Sequence, residues 1–252
     1  MVLQLRISFA DARLWRYVTA ATAKFIETAI LKVNGEGLWF RAMDPSKTAL
    51  IEFMIPKESF DEFEVDGEES LTINLEDFGK IMRSAERDDK ISIKSTESYI
   101  TLVFERRGVP RYFTLPLRAE HLGEEIPELS LELANEFKMP GEVLYESISG
   151  IEDVGEVLWI GEKDGNLTLR SESDLGEAEV ILSVEKGVLE DSKVDNPGFT
   201  VSFGMEYFTY VKQPIKLADA AVLRADSDMP VHLELNFIQG AKLNYYVAPR
   251  AE

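Results

Sequence analysis

Residues 70–87 read SLTINLEDFGKIMRSAER, and their pattern changes period part-way along. Up to Leu75 polar and apolar side chains alternate, as in a half-buried strand. From Glu76 onward Phe78, Ile81, Met82 and Ala85 recur at three- and four-residue intervals, as on one face of a helix. The following KISIKSTESYITLVFE, residues 90–105, alternates on both sides of a weak turn at Glu97-Ser98. The unit is therefore strand, amphipathic helix and hairpin.

The same unit occurs three more times. LQLRISF at 3–9 precedes a helix expected from Asp11 to about Phe25, with Leu14, Tyr17, Val18, Ala21 and Phe25 as its apolar stripe, and then AILKVNGEGLWFRAM. LELANEFKM at 131–139 precedes a helix expected from Gly141 to Ile151, then VLWIGEKDGNLTLRSES. GFTVSF at 198–203 precedes one expected from Gly204 to about Lys212, then AAVLRADSDMPVHLELNF. Helix starts at Asp11, Glu76, Gly141 and Gly204 are 65, 65 and 63 positions apart, the mark of an internal repeat. Turns at Asn34-Gly35, Asp164-Gly165 and Asp228-Met229-Pro230 fall in matching places. A single unit cannot bury its own apolar face, so two repeats make a domain. The expected division is residues 1–118, a connector at 119–128 and residues 129–252. The expected fold class is α+β, with a helical layer against antiparallel sheets.

Composition narrows the function. The 252 residues include no cysteine and two histidines, which removes disulfides, thiolate catalysis and Cys-ligated zinc. No apolar run approaches the length of a membrane helix, and the N-terminus lacks a secretory core, so a soluble intracellular protein is expected. Scarce Gln and 29% charged residues lean toward a heat-adapted source. No phosphate-binding glycine loop, His-x-x-x-His pair or nucleophile elbow is present. Gly35-Glu36-Gly37 reads as a hairpin turn needing glycine. Acidic clusters such as Glu62-Phe63-Glu64 and Glu124-Glu125 read as loop tips, and no carboxylate pair stands out for hydrolysis. Neither catalysis, a metal nor a cofactor is expected.

The net charge of −19 at first argues against nucleic acid, but it is unevenly placed. Residues 1–118 hold 17 basic and 19 acidic side chains, and residues 119–252 hold 10 and 27. Within this acidic chain, cations recur on outward helix faces. Arg13 and Arg16 lie on the first helix, with Lys24 beyond; Lys80, Arg83 and Arg87 lie at i, i+3 and i+7 on the second. Lys212 lies on the fourth, with Lys216 just past Pro214. The third helix carries Glu142 and Glu146, followed by Glu152.

Four strings identify a family resemblance. They are Arg41-Ala42-Met43-Asp44-Pro45-Ser46, Ile73-Asn74-Leu75 leading into Lys80-Ile81-Met82, Leu122 to Pro127, and Tyr245-Tyr246-Val247-Ala248-Pro249-Arg250. With the fourfold repeat, they resemble the sliding clamps of archaea and eukaryotes, the proliferating cell nuclear antigen (PCNA) family, over essentially the full length.

The resemblance implies two similar clamp domains per subunit and a ring of three subunits. Helices would line the hole and antiparallel sheets form the outer wall. Such a ring encircles double-stranded DNA without regard to sequence and slides on it. It is a processivity factor for DNA replication and repair, without enzymatic activity. Its implied partners are other clamp subunits (homotrimer or heterotrimer), DNA polymerase, the clamp loader replication factor C, flap endonuclease and DNA ligase. It would be cytoplasmic and nucleoid-associated in an archaeon, nuclear in a eukaryote, with no membrane contact. Arg13, Arg16, Lys80, Arg83, Arg87, Lys212 and Lys216 would then face DNA. Met43, Leu50, Leu122, Ile126, Pro230, Tyr246, Ala248 and Pro249 would form a groove for a short partner helix. Edge pairing between subunits would use Arg111, Tyr112, Phe113 and Leu115 against Glu177, Val180 and Ile181. Thr48, where an aliphatic residue is usual, and the acidic third helix depart from the family pattern. The rival reading is an assembly ring that binds proteins and holds no DNA.

Overall fold

The computed structural model describes residues 4–86, 88–117, 126 and 128–251. By internal contacts the chain forms two compact units. One comprises residues 1–42, 52–126 and 239–241, and the other 43–51, 127–238 and 242–252.

The first unit contains β1 (Leu5–Phe9), α1 (Ala12–Thr22), β2 (Thr28–Asn34), β3 (Gly37–Met43), most of β4 (Ala49–Pro56), β5 (Glu62–Val65), β6 (Glu69–Asn74), α2 (Leu75–Met82), β7 (Lys90–Ser95), β8 (Tyr99–Arg106) and β9 (Val109–Pro116). The second contains β10 (Asn135–Met139), α3 (Gly141–Ser149), β11 (Val157–Lys163), β12 (Asn166–Ser173), β13 (Gly176–Leu182), β14 (Asp191–Val194), β15 (Thr200–Gly204), α4 (Met205–Tyr210), α5 (Lys212–Leu217), β16 (Ala220–Ala225), β17 (Val231–Asn236) and β18 (Lys242–Val247).

The repeats exchange their leading strands through antiparallel pairing. β1 pairs with β7 of the second repeat, Leu5 opposite Ser95, while β6 pairs with β2 of the first, Thr28 opposite Asn74. The second unit does the same, β10 with β16 and β15 with β11. Each repeat thus completes the other's sheet, which gives its apolar face a partner. Phe9, Phe53, Phe78 and Phe104 are buried in the first unit, and Phe137, Phe203, Phe208 and Tyr245 in the second.

Helix starts follow local chemistry. Asp11 caps α1, its Oδ1 accepting from the Arg13 amide at 2.9 Å; Asn74 caps α2, accepting from the Asp77 amide at 2.9 Å. Helix ends come earlier than the periodicity predicts. After Thr22 the amides of Lys24 and Phe25 bond three residues back, so the last turn tightens. α2 stops at Met82 because the amides of Ser84 and Ala85 likewise bond three residues back. α3 ends at Ser149. The expected fourth helix ends at Tyr210, and a second short helix that was not expected, Lys212–Leu217, follows after Val211; Pro214 sits in its first turn, where no amide is needed, and its ring bars one continuous helix because it would meet the carbonyl four residues before it. Lys216 therefore lies inside α5 rather than beyond a helix.

Two further expectations change. Glu62-Phe63-Glu64 is part of β5, not a loop tip: the glutamates point to solvent and Phe63 turns in against Phe60, 5.2 Å between centroids. At the first hairpin it is Gly37, not Gly35, that must be glycine. Its φ is +150°, and a Cβ there would collide with the Ile55 carbonyl oxygen. In α1 the buried face includes Trp15, while Tyr17 is only half-buried, and Phe25, half-buried too, lies beyond the helix.

Candidate nucleic-acid face, partner groove and strand edges

In the first unit α1 and α2 lie side by side and carry cations in graded states of freedom. Arg13 folds back on its own cap, donating to Asp11 through Nε at 3.0 Å and Nη2 at 2.6 Å. Hydrogen bonding to that carboxylate holds its pKa above the ordinary value. Arg16 reaches the segment that follows α2, where Nη1 donates to the Ala85 carbonyl at 2.8 Å. Lys80 is exposed and paired with Glu76 at 2.8 Å and Asp77 at 3.2 Å. Arg83 is exposed and makes no ion pair or side-chain hydrogen bond among the described residues. α2 ends at Met82, with Arg83 as its C-cap, and Arg87 lies outside the described residues.

The second unit differs. Lys212 bonds Glu152, and its side chain retains 19% of its exposure. The rings and charges of α3 and α5 interlock: Tyr145 lies 5.6 Å from the Lys212 ammonium and 4.7 Å from that of Lys216. Glu142, Glu146 and Glu206 are exposed, so this helical face offers phosphate one exposed lysine among carboxylates. The Glu152–Lys212 bond joins residues 60 positions apart, which no helical spacing signals.

Six of the expected groove residues belong to the second unit: Met43, Leu50, Pro230, Tyr246, Ala248 and Pro249. Asp44 folds the 43–49 loop, its Oδ1 accepting from the Ala49 amide at 2.6 Å. The Thr48 carbonyl accepts from the Ala248 amide at 2.7 Å, which fixes the loop beside the C-terminal tail. The Thr48 hydroxyl is engaged with that of Ser46 at 2.9 Å. Met43, Pro230, Ala248 and Pro249 are half-buried. Leu50 and Tyr246 are buried, so they floor the surface rather than line it openly. Tyr246 stacks on His232 at 4.3 Å and donates to the Leu129 carbonyl at 3.3 Å. Burial, with help from Arg224, lowers the His232 pKa and favours the neutral ring. Ile126 belongs to the first unit, where its carbonyl accepts from Arg41 at 3.0 Å; Leu122 lies outside the described residues.

β9 and β13 are both open edges of their sheets. Tyr112 is 66% exposed and Ile181 49%, while Phe113, Leu115 and Val180 are half-buried. Arg111 turns inward, reaching the Ser84 carbonyl at 3.2 Å and buried Asp89.

Comparison with known proteins agrees with this architecture. A family model described as the proliferating cell nuclear antigen N-terminal domain matches residues 4–118. The DNA polymerase sliding clamp of Thermococcus gammatolerans is 32% identical over 248 residues, covering 98% of both chains. The chain belongs to the sliding clamp family. DNA polymerase sliding clamp 3 of Aeropyrum pernix is 29% identical, again over 98% of both chains. A chain of the PCNA2–PCNA3 complex from Sulfolobus tokodaii superposes with a TM-score of 0.89 at 29% identity, covering 98% of this chain and 100% of that one. PCNA from Thermococcus kodakaraensis shares the fold, with a TM-score of 0.88 at 24% identity.

Within this clamp the structure brings Arg16 to Ala85, in the segment that follows α2, and Thr48 to Ala248. It withdraws Lys212 and Arg13 from the free cations. Sequence reasoning missed Tyr145 as the ring that holds both α5 lysines. Its place at i+3 from Glu142 on α3 was the available signal.

Proposed function

We propose that this chain is one subunit of a DNA polymerase sliding clamp, a trimeric ring that encircles duplex DNA and tethers replication and repair proteins to it. The observation that carries the reading is family membership across the whole chain, not one motif. In this reading residues 1–118 and 129–252 are the two clamp domains, joined by a connector at 119–128. A duplex held by topology needs no base readout, only weak and exchangeable contacts between cations and phosphate. Arg83 and Lys80 suit such contacts, because both are exposed and neither is aimed at a fixed partner by burial. The chain acts as a non-catalytic tether.

β9 and β13 are the subunit edges, because an unpaired apolar strand is an aggregation liability until another strand covers it. The Met43, Pro230, Ala248 and Pro249 surface, with Leu122 and Ile126, takes a short helix bearing apolar anchors from polymerase, replication factor C, flap endonuclease or ligase. Among the described residues no helix is long and apolar enough to cross a membrane, and the proposed location is the archaeal cytoplasm at the nucleoid.

The test is retention on closed circular DNA after loading. Lys80→Glu with Arg83→Glu should shorten the residence time several-fold while the ring stays assembled. Unchanged residence would remove the DNA-facing assignment and favour an assembly ring that holds no DNA.

A further inference from the structure

The surface proposed as the partner groove continues into a polar cluster on the same face of the sheet. β17 and β18 place His232 directly opposite Tyr246, and β16 places Arg224 opposite His232. Burial alternates along β17, so His232 shares its face with Glu234 and Asn236 while Val231, Leu233 and Leu235 enter the core. Pro230 lies two residues before His232 and Ala248 two residues after Tyr246, and both are half-buried, as His232 is. The stacked pair of His232 and Tyr246 is thus the next step of the groove floor.

The imidazole lies flat on the Tyr246 ring, with centroids 4.3 Å apart and planes 9° from parallel. Its Nδ1 is 3.4 Å from Arg224 Nη1, and its Nε2 is 3.0 Å from Asn244 Oδ1. A guanidinium can only donate, so Nδ1 must accept, and the neutral ring carries its proton on Nε2 and donates it to Asn244. Arg224 is itself held, because Glu136 accepts from its Nε at 2.6 Å and Glu234 from its Nη1 at 3.0 Å. Tyr246 is fixed at its other end, where the hydroxyl donates to the Leu129 carbonyl at 3.3 Å.

A second proton on this ring would sit on Nδ1 and point at the N–H groups of Arg224, donor against donor and cation against cation. The charged groups around the ring are Arg224 on β16, Glu234 on its own strand and Lys242 on β18, with Glu136 of β10 behind Arg224. Burial has the largest influence and opposes the charge, as do Arg224 and Lys242. The hydrogen bond to Asn244 and the charge of Glu234 favour it without prevailing, so the pKa lies below the ordinary histidine value. Glu234, with a pKa of about 2, stays ionised wherever a histidine titrates, so its hold on Arg224 persists. The charged ring must then leave its place, and the stack goes with it.

We infer that His232 is a positioning residue for the partner groove: its neutral ring holds Tyr246 in place on the floor, and protonation of the ring releases Tyr246 and weakens docking of an apolar helix. The inference rests on reading this surface as the partner groove, and adds the residue that sets its floor and the acid sensitivity that follows. His232 acts through Tyr246 rather than by contact with the partner. A floor ring that is already immobilised need not be ordered when the helix docks, whereas a released one must be. Docking is therefore strongest where the imidazole is neutral and declines as pH falls through its lowered pKa.

The test follows, by fluorescence anisotropy, a labelled synthetic helix with aliphatic and aromatic anchors on one face and no histidine, binding to the purified full chain. Wild-type affinity should be level between about pH 8 and pH 7 and fall about threefold or more by about pH 5. His232→Phe keeps a flat ring that cannot titrate, and its affinity should stay within about twofold over the same range. His232→Ala should bind about threefold or more weakly at about pH 8 and lose little further in acid. Melting temperatures at each pH verify that the variants are folded. The other histidine of the chain, His121, lies outside the described residues, and the Phe variant separates the two. An acid loss that His232→Phe repeats, or a level wild-type profile, would overturn the positioning role. Met43→Glu with Ala248→Glu tests the groove independently. A helix that does not bind wild type, or that binds this pair equally well, counts against the groove itself; if the pair abolishes binding while the His232 variants match wild type, only the positioning role fails.

Discussion

Glu234 shows how single residues in this clamp trade burial against hydrogen bonding. Burial of its side chain raises the carboxyl pKa, but donation from Asn236, Arg224 and Lys242 outweighs it and brings the value down to about 2. The contacts are short: Asn236 Nδ2 and Arg224 Nη1 at 3.0 Å, and the Lys242 ammonium at 3.2 Å. A carboxylate whose folded pKa lies below its unfolded value stabilises the fold fully above the unfolded value. That contribution is lost as pH falls toward the folded one. By pH 3 roughly 2 kcal/mol should be gone. Glu234→Gln removes the titrating group, so its urea midpoint should fall at pH 7 and change less between pH 7 and 3 than that of wild type. Parallel losses in both proteins would show that Glu234 is not the group responsible. The neighbouring His232 is pushed the other way, toward its neutral form, and so keeps its stack with Tyr246 uncharged near neutrality.

Elements show what the sequence makes legible and where it stops. Strand and helix starts were readable because they depend on neighbours: alternation up to Leu75, and caps at Asp11 and Asn74. Helix ends were not, since tightening after Thr22 and Met82 depends on where the chain must turn next. Pro214 carried the signal that ends the fourth helix before it, but not that a further short helix, Lys212–Leu217, begins there. The exchange of β1 and β6 between repeats involves partners tens of residues apart, and no local pattern encodes it. The groove and cation positions were legible chiefly through family strings. Their exposure was not: Tyr246 is closed by Leu129, and Lys212 by Glu152. The first hairpin gives a test at this scale. Gly37→Ala should destabilise the protein by about 2 kcal/mol or more, because the backbone of β4 occupies the space a Cβ needs. Gly35→Ala, with nothing within 4 Å and an ordinary φ, should stay within about 0.5 kcal/mol. Equal melting temperatures for the two variants would contradict the assignment of the strained position to Gly37.

At the scale of the whole molecule, the net charge of −19 misleads because contact with DNA depends on which surface carries the cations. Residues 1–118 are close to balanced, and their helices keep Arg83 free and Lys80 exposed. The second unit neutralises Lys212 within its own fold and surrounds Lys216 with Tyr145 and exposed glutamates. Each subunit should therefore touch phosphate mainly through its first unit. Salt dependence measures this directly, since each phosphate contact adds about −0.9 to the slope of log affinity against log salt. For binding of the assembled clamp to a short linear duplex, Lys80→Glu with Arg83→Glu should remove about two contacts per subunit from that slope. Lys212→Glu with Lys216→Glu should remove less than about one. Slopes reduced equally by both pairs would mean that the second unit grips DNA as firmly as the first. In that case the Glu152–Lys212 bond must open when the duplex enters.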